Sequence, residues 1–106
     1  VEHKLTTREA CDAWYSGAYL LETIPCVLYI LSNYAHDPEE AIVRAVNDTF
    51  DNDTIASLVG SAVGALYGPD AFPAAWTKRL TGRTAADDDG KITELIDEAE
   101  KLFWTD

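Results

Sequence analysis

The sequence predicts an all-α protein, on three observations. No segment alternates apolar and polar residues with the period of two that a half-buried strand requires. Apolar residues recur instead at helical spacing, and most of the segments they form open on a capping residue. Glycine or Gly-Pro closes several of them, as expected where a helix must stop.

Residues Leu5 to Trp14 form the first predicted helix. Thr6 or Thr7 can cap it, Glu9 lies in its first turn, and Ala10, Ala13 and Trp14 are its apolar positions. Tyr15-Ser16-Gly17-Ala18 breaks the pattern with turn chemistry. From Tyr19 to Tyr34 the chain is apolar except for Glu22, and a helix starting near Thr23 would keep Pro25 in its first turn. There the missing N–H costs nothing. Ile24, Val27, Leu28, Ile30 and Leu31 surround that helix, so it should be central. Asp37-Pro38-Glu39-Glu40 is a compact helix start, with Ala41, Ile42, Ala45 and Val46 on one face and Arg44 outside. A polar loop from Asn47 leads to the next helix, Asp53 to Tyr67, which Gly68-Pro69 ends. That helix carries two small-residue tracks, Ala56-Gly60-Gly64 and Ser57-Ser61-Ala65. Each interior glycine costs about 1 kcal/mol relative to alanine, which predicts close neighbours on both sides. A short helix over Phe72 to Leu80, a polar loop from Arg83 to Gly90 and an amphipathic helix over Lys91 to Phe103 complete the chain.

At 106 residues the chain is one domain, or part of a larger one, and is read as a single all-α unit over 1–106. Its 47% hydrophobic content supports a core and argues against disorder. The net charge of −11 argues against a nucleic-acid or anionic-membrane partner and is compatible with divalent cations. The longest uncharged stretch, Thr54 to Pro69, is too short to span a membrane, and the N-terminus lacks the apolar region of a signal peptide. The start at Val1 suggests a boundary introduced by cloning or cleavage. Cys11 and Cys26 are too few for a disulfide framework or a zinc site, and read as buried free thiols in a reducing, cytoplasmic setting. Two charge-free helices are more than so short a chain can easily cover, which suggests the interior of a larger helical body or an obligate oligomer.

The chemistry concentrates in Asp51-Asn52-Asp53-Thr54, at the mouth of the charge-free helix. One reading is capping, with Asn52 or Asp53 accepting from a free backbone N–H. The other is a metal loop. One cap needs one residue, whereas Asp48, Asp51, Asp53 and Thr54 crowd together and would repel without a cation. Such hard oxygen donors suit Mg²⁺, Mn²⁺ or Ca²⁺ over zinc. An EF-hand is excluded, since Ala56 and Ala62 stand where its glycine and final glutamate belong.

Asp51-Asn52-Asp53-Thr54-Ile55-Ala56, with Gly60, Gly64-Ala65 and Tyr67-Gly68 behind it, resembles the signature of the ADP-ribosylglycohydrolases. The likeness extends back through Glu22-Thr23-Ile24-Pro25 and Pro38-Glu39-Glu40-Ala41-Ile42, and forward through Phe72-Pro73-Ala74-Ala75-Trp76. It implies an orthogonal helical bundle that is the C-terminal third of a larger all-α fold. It also implies a hydrolase that removes ADP-ribose from a modified acceptor by cleaving a glycosidic bond. Asp51, Asp53 and Thr54 would be metal ligands, half of a binuclear Mg²⁺ or Mn²⁺ centre. The rest of the cage and the catalytic acid would come from an N-terminal part absent from these residues, so neither Asp48 nor Glu22 is assigned that role. The family usually carries Gly-Gly before its first aspartate, where this chain has Thr49-Phe50.

By the same resemblance, Ser16, Gly17 and Ala18 would border the adenosine side of the substrate; a plain helix-joining turn explains them equally well. Asp87-Asp88-Asp89 reads as a solvated loop and a cap for the last helix. His3 and His36 are isolated, and Trp14, Trp76 and Trp104 read as packing anchors. The competing functional reading is a non-catalytic interaction or ADP-ribose-binding module that docks onto a separate N-terminal chain.

Overall fold

A computed structural model describes residues 4–79 and 90–104. Among these the structure is helical, with no strand. The helices are α1 (Thr7–Trp14), α2 (Leu20–Tyr34), α3 (Pro38–Asn47), α4 (Asn52–Tyr67), α5 (Ala74–Arg79) and α6 (Lys91–Phe103), with a 3-10 turn at Pro69–Ala71. The chain forms two compact units, Val1–Pro73 and Ala74–Asp106. No helix among the described residues is long and apolar enough to cross a membrane.

In the first unit α4 packs on α3 and α2, and α1 packs on α2. Ile55, Val59 and Val63 of α4 meet Cys26, Val27 and Ile30 of α2 in a core closed by Ala41, Ala45 and Cys11. Thr6 caps α1 with a full capping box, its hydroxyl accepting from the Glu9 N–H while the Glu9 carboxylate accepts from the Thr6 N–H. Thr7, the other candidate cap, is buried and donates to Asp48. Asp37 caps α3 by accepting from the Glu40 N–H at 3.2 Å.

Helix α2 departs from the sequence expectation. It begins at Leu20, so Pro25 lies inside it and the Leu21 carbonyl loses its usual donor. The Thr23 hydroxyl donates to the Gly17 carbonyl and the Thr23 N–H to the Tyr19 carbonyl, which ties down the earlier start. Nor is α2 covered all round. Thr23, Cys26, Val27 and Ile30 are buried, while Leu20, Leu21 and Leu28 stay more than 60% exposed, because the first unit's other helices cover one side only.

The small-residue tracks of α4 divide in the same way. A Cβ on Gly60 would meet Ile42, and one on Gly64 would meet Phe72, each at 3.6 Å. The second track is exposed, with Ser61 donating to the Ser57 carbonyl, so the expected neighbours occur on one side. Gly68 ends the helix at φ 79°.

In the second unit α6 spans the predicted residues, but its apolar face is uncovered: Leu95, Ile96, Leu102 and Phe103 are all exposed. Its N-cap is Gly90 at φ 73°, with no side-chain hydrogen bond. Asp87, Asp88 and Asp89, expected there, lie outside the described residues, as do His3, Leu80 and most of the loop before Gly90. Of the tryptophans, Trp14 packs edge-on against Tyr29 at 5.5 Å. Trp104 is 76% exposed and anchors nothing in the core.

Candidate functional site

The loop from Asp48 to Thr54 joins α3 to α4, and each polar residue in it has a distinct fate. Asp48 is buried and accepts from the Thr7 hydroxyl and from Arg44 at 3.4 Å. It is a structural acid joining α1 to α3, its carboxylate taken up by these two partners. Arg44 also pairs with Glu40 at 2.9 Å and is half-buried, not outside as its position implied. The Thr49 hydroxyl donates to the Ala45 carbonyl, and the Asn52 amide donates to the Val46 carbonyl. Those two bonds close the end of α3.

Asp51 occupies the N-cap of α4 but forms no side-chain capping bond. Its Oδ2 is buried and has no hydrogen-bond partner. Buried carboxylate oxygens are normally satisfied, and this one is an exception to that rule. Asp53 and Thr54 are exposed on the first turn, and the Asp53 carboxylate accepts from the Thr54 N–H at 2.9 Å. The three sequence-predicted ligands thus share one loop and one helix turn, and Asp51 is not consumed as a cap. Among the described residues no group of three or more His, Cys, Asp or Glu is placed to hold a metal ion. Two carboxylates and a hydroxyl fit one side of an oxygen-rich cation site and no more.

The turn Ser16-Gly17-Ala18 lies directly against this loop. Ser16 is fully buried. Its hydroxyl accepts from the Phe50 N–H and its carbonyl from the Asp51 N–H, both at 3.0 Å. Its own N–H donates to the Cys11 carbonyl. Ser16 is therefore a brace that sets the backbone ahead of Asp51. Sequence reasoning singled out Ser16 only as a residue of the substrate-side turn; its bracing role went unread, because the bond joins residues 34 apart and a single sequence carries no signal of that pairing. Gly17 lies under the Glu22 carboxylate: a Cβ there would stand 2.5 Å from Glu22 Oε2.

Behind Ser16 lie Cys11 and Cys26, both buried and free. Burial pushes the Cys11 thiol up to about 12, and the hydrogen bond to Cys26 acts in the same direction. Burial also raises Cys26. They are packing thiols, not nucleophiles. An open groove of about 280 Å³ lined by Lys4, Leu5, Thr6, Thr7, Asn33 and Tyr34 contains none of the predicted site residues.

The fold and loop together define an all-α domain whose longest described helix starts on an oxygen-rich Asp-x-Asp-Thr turn braced by a buried serine. The model of the ADP-ribosylglycohydrolase family matches residues 2–105, and the chain belongs to that family. It is similar to an ADP-ribosylarginine hydrolase Tri1 of Pseudomonas putida (strain GB-1), 33% identical over 81 residues, covering 74% of this chain and 20% of that protein. It is also similar to the ADP-ribosyl-[dinitrogen reductase] glycohydrolase of Rhodospirillum rubrum, 33% identical over 66 residues, covering 61% and 22%. With the human ADP-ribosylhydrolase ARH3 it shares 27% identity over 93 residues, covering 78% and 26%. The chain therefore spans about a fifth to a quarter of the length of these relatives. No solved structure matches it at comparable significance.

Proposed function

We propose that this chain forms part of a hydrolase that removes ADP-ribose from a modified acceptor by cleaving the glycosidic bond. In this reading Asp51, Asp53 and Thr54 hold part of a binuclear Mg²⁺ or Mn²⁺ centre, in a cytoplasmic protein. The remaining ligands and the catalytic acid belong to the portion of the family's length that this chain does not span. Family membership and the relatives' names support the activity. The observation that carries the metal is Asp51, whose Oδ2 is buried without a partner although the residue stands at an N-cap. Two such ions, when bound, supply Lewis acidity to orient ribose hydroxyls and polarise water. The chain's own part is to hold Asp51 through Ser16 and to present Asp53 and Thr54 from the first turn of α4.

Calorimetric titration of Mg²⁺ into the chain and into its Asp51→Ala and Asp53→Ala variants tests the metal. Weak heat in the parent, lost in both variants, is expected; equal heats in all three would leave Asp51 as a helix terminus only. The chain alone is expected to release no ADP-ribose from a modified protein, and measurable turnover would refute the shared cage.

The exposed Leu20, Leu21 and Leu28 of α2 also support the second reading, a non-catalytic module that docks onto an N-terminal chain. Both readings require a partner on that face. They separate when the remainder of the family fold is supplied: turnover restored by Asp51 but not by Asp51→Ala favours the hydrolase.

A further inference from the structure

We propose that α1 is a clamp on the Asp51 loop, and that Thr7, acting through Asp48, is a positioning residue for Asp51 at the opposite end of the clamp from Ser16. What the clamp serves rests on the metal reading above; the clamp itself is made of hydrogen bonds within the fold.

Helix α1 reaches the loop from both of its ends. At its start the Thr7 hydroxyl donates to Asp48 Oδ2, and Arg8 donates to the Asn47 carbonyl at 2.9 Å. Just past its end Ser16 accepts from the N–H groups of Phe50 and Asp51. The loop is thus bonded to α1 on either side of Thr49, whose hydroxyl is turned back to the Ala45 carbonyl of α3. A hydrogen-bonded helix between the two attachment points keeps them at a set separation. Ser16 is fastened to that helix in its turn, because the N–H groups of Tyr15 and Ser16 donate to the carbonyls of Asp12 and Cys11. From α2 the Thr23 hydroxyl secures the adjoining Gly17 carbonyl at 2.7 Å.

Thr7 is available for this task because Thr6 caps the helix. Its hydroxyl and the Asp48 carboxylate meet in the interior, the two residues being 3% and 6% exposed. A carboxylate buried to that degree is costly unless its oxygens are bonded and its charge is paired. Asp48 therefore stays where Thr7 and Arg44 hold it. With the loop held there, and again at Phe50 and Asp51, its backbone delivers the Asp51 side chain at one place, where Oδ2 is buried without a partner. Groups that orient a ligand without touching the ion are worth about ten- to a hundredfold in metal affinity. Thr7 and Ser16 hold that position in the fold relative to Asp51.

Amide hydrogen exchange of the 106-residue chain reads the clamp, with the amides of the buried Val59 and Val63 in α4 as the reference. Thr7→Val keeps the side chain's shape and removes its donor. It should speed exchange at Phe50 and Asp51 about two- to tenfold relative to the reference amides, the worth of one intramolecular hydrogen bond. Thr7→Ser, which keeps the hydroxyl, should return the ratio to that of the parent. Arg8→Met, at an exposed side chain, should raise the ratio by a smaller factor. A residue that only stabilises the fold would speed the reference amides at least as much, so a ratio unmoved by both Thr7→Val and Arg8→Met overturns the clamp. Mg²⁺ calorimetry separates the two proposals. Affinity lowered about tenfold in Thr7→Val and restored in Thr7→Ser is the expected result. Parental affinity in Thr7→Val, despite faster exchange at Phe50 and Asp51, would overturn the positioning role. A raised ratio in a chain whose parent gives no Mg²⁺ heat upholds the clamp and refutes the metal reading alone.

Discussion

Asp37 and Asp51 both stand at the N-cap of a helix, α3 and α4, and the structure uses them differently. The Asp37 carboxylate accepts from the Glu40 N–H, and Pro38 follows it at the first helical position. Asp51 forms no such bond, its Oδ2 is buried and unpaired, and its backbone is set from outside by Ser16. A cap stabilises its own helix and needs no help from elsewhere in the fold. Asp51 is thus placed by a residue far along the chain and not by a capping bond to its own helix. That contrast is what supports the proposed ligand role of Asp51 beside capping, the two readings that sequence pattern alone left open.

Several variants would sharpen or break it. Ile55→Ala removes a fully buried side chain one turn behind Asp51 and should cost about 2–5 kcal/mol, measured by urea unfolding. No comparable loss is expected at the exposed Leu58, one turn further on. Ser16→Ala leaves the Phe50 N–H without its acceptor and should cost about 1–3 kcal/mol, together with weaker Mg²⁺ heat. A loss of stability with Mg²⁺ binding unchanged would show that the brace does not position Asp51. Asp37→Ala should cost about 1 kcal/mol, whereas Asp51→Ala should cost less and should abolish any rise in thermal midpoint that Mg²⁺ gives the parent. If Asp51→Ala instead behaves like Asp37→Ala, with the Mg²⁺ effect intact, the two aspartates are both caps.

The smallest effect concerns pH. The Cys11 thiol is raised from 9.0 to about 12 in the folded chain, so the folded state holds that proton more tightly than the unfolded one. Its contribution to stability is complete below pH 9 and declines as pH rises from there towards 12. Urea midpoints should fall over that range, and less steeply in Cys11→Ala. A parent and variant with parallel alkaline profiles would contradict this. Native-state alkylation of both thiols should be slow beside that of the denatured chain.

Local chemistry made much of this legible in advance. Thr6 with Glu9, Asp37 with Pro38, and Gly68 with Pro69 each mark a helix end by interactions within four residues. Those boundaries were accordingly readable. The Asp51-Asn52-Asp53-Thr54 stretch, with its family resemblance, was readable for the same reason: its residues are contiguous. The start of α2 was not, because Pro25 alone favoured a later start and the bonds that secure Leu20 come from Gly17 and Tyr19 in the preceding turn. Helix α6 shows the converse limit. Its spacing defines an apolar face clearly, yet periodicity says only which face would be buried, not whether anything covers it.

The sequence by itself determined the all-α class, the helix ends set by caps and glycines, the family, and which residues of the α3–α4 loop are hard oxygen donors. Only the tertiary structure decided which of those donors is free. Asp48 is taken by Thr7, 41 residues away, and Asp51 is held by Ser16 but left unpaired. The physical reason is that hydrogen bonding is exclusive. Whether a carboxylate is a cap, a brace or a ligand depends on which donors reach it first, and donors brought from another helix leave no trace in the local sequence.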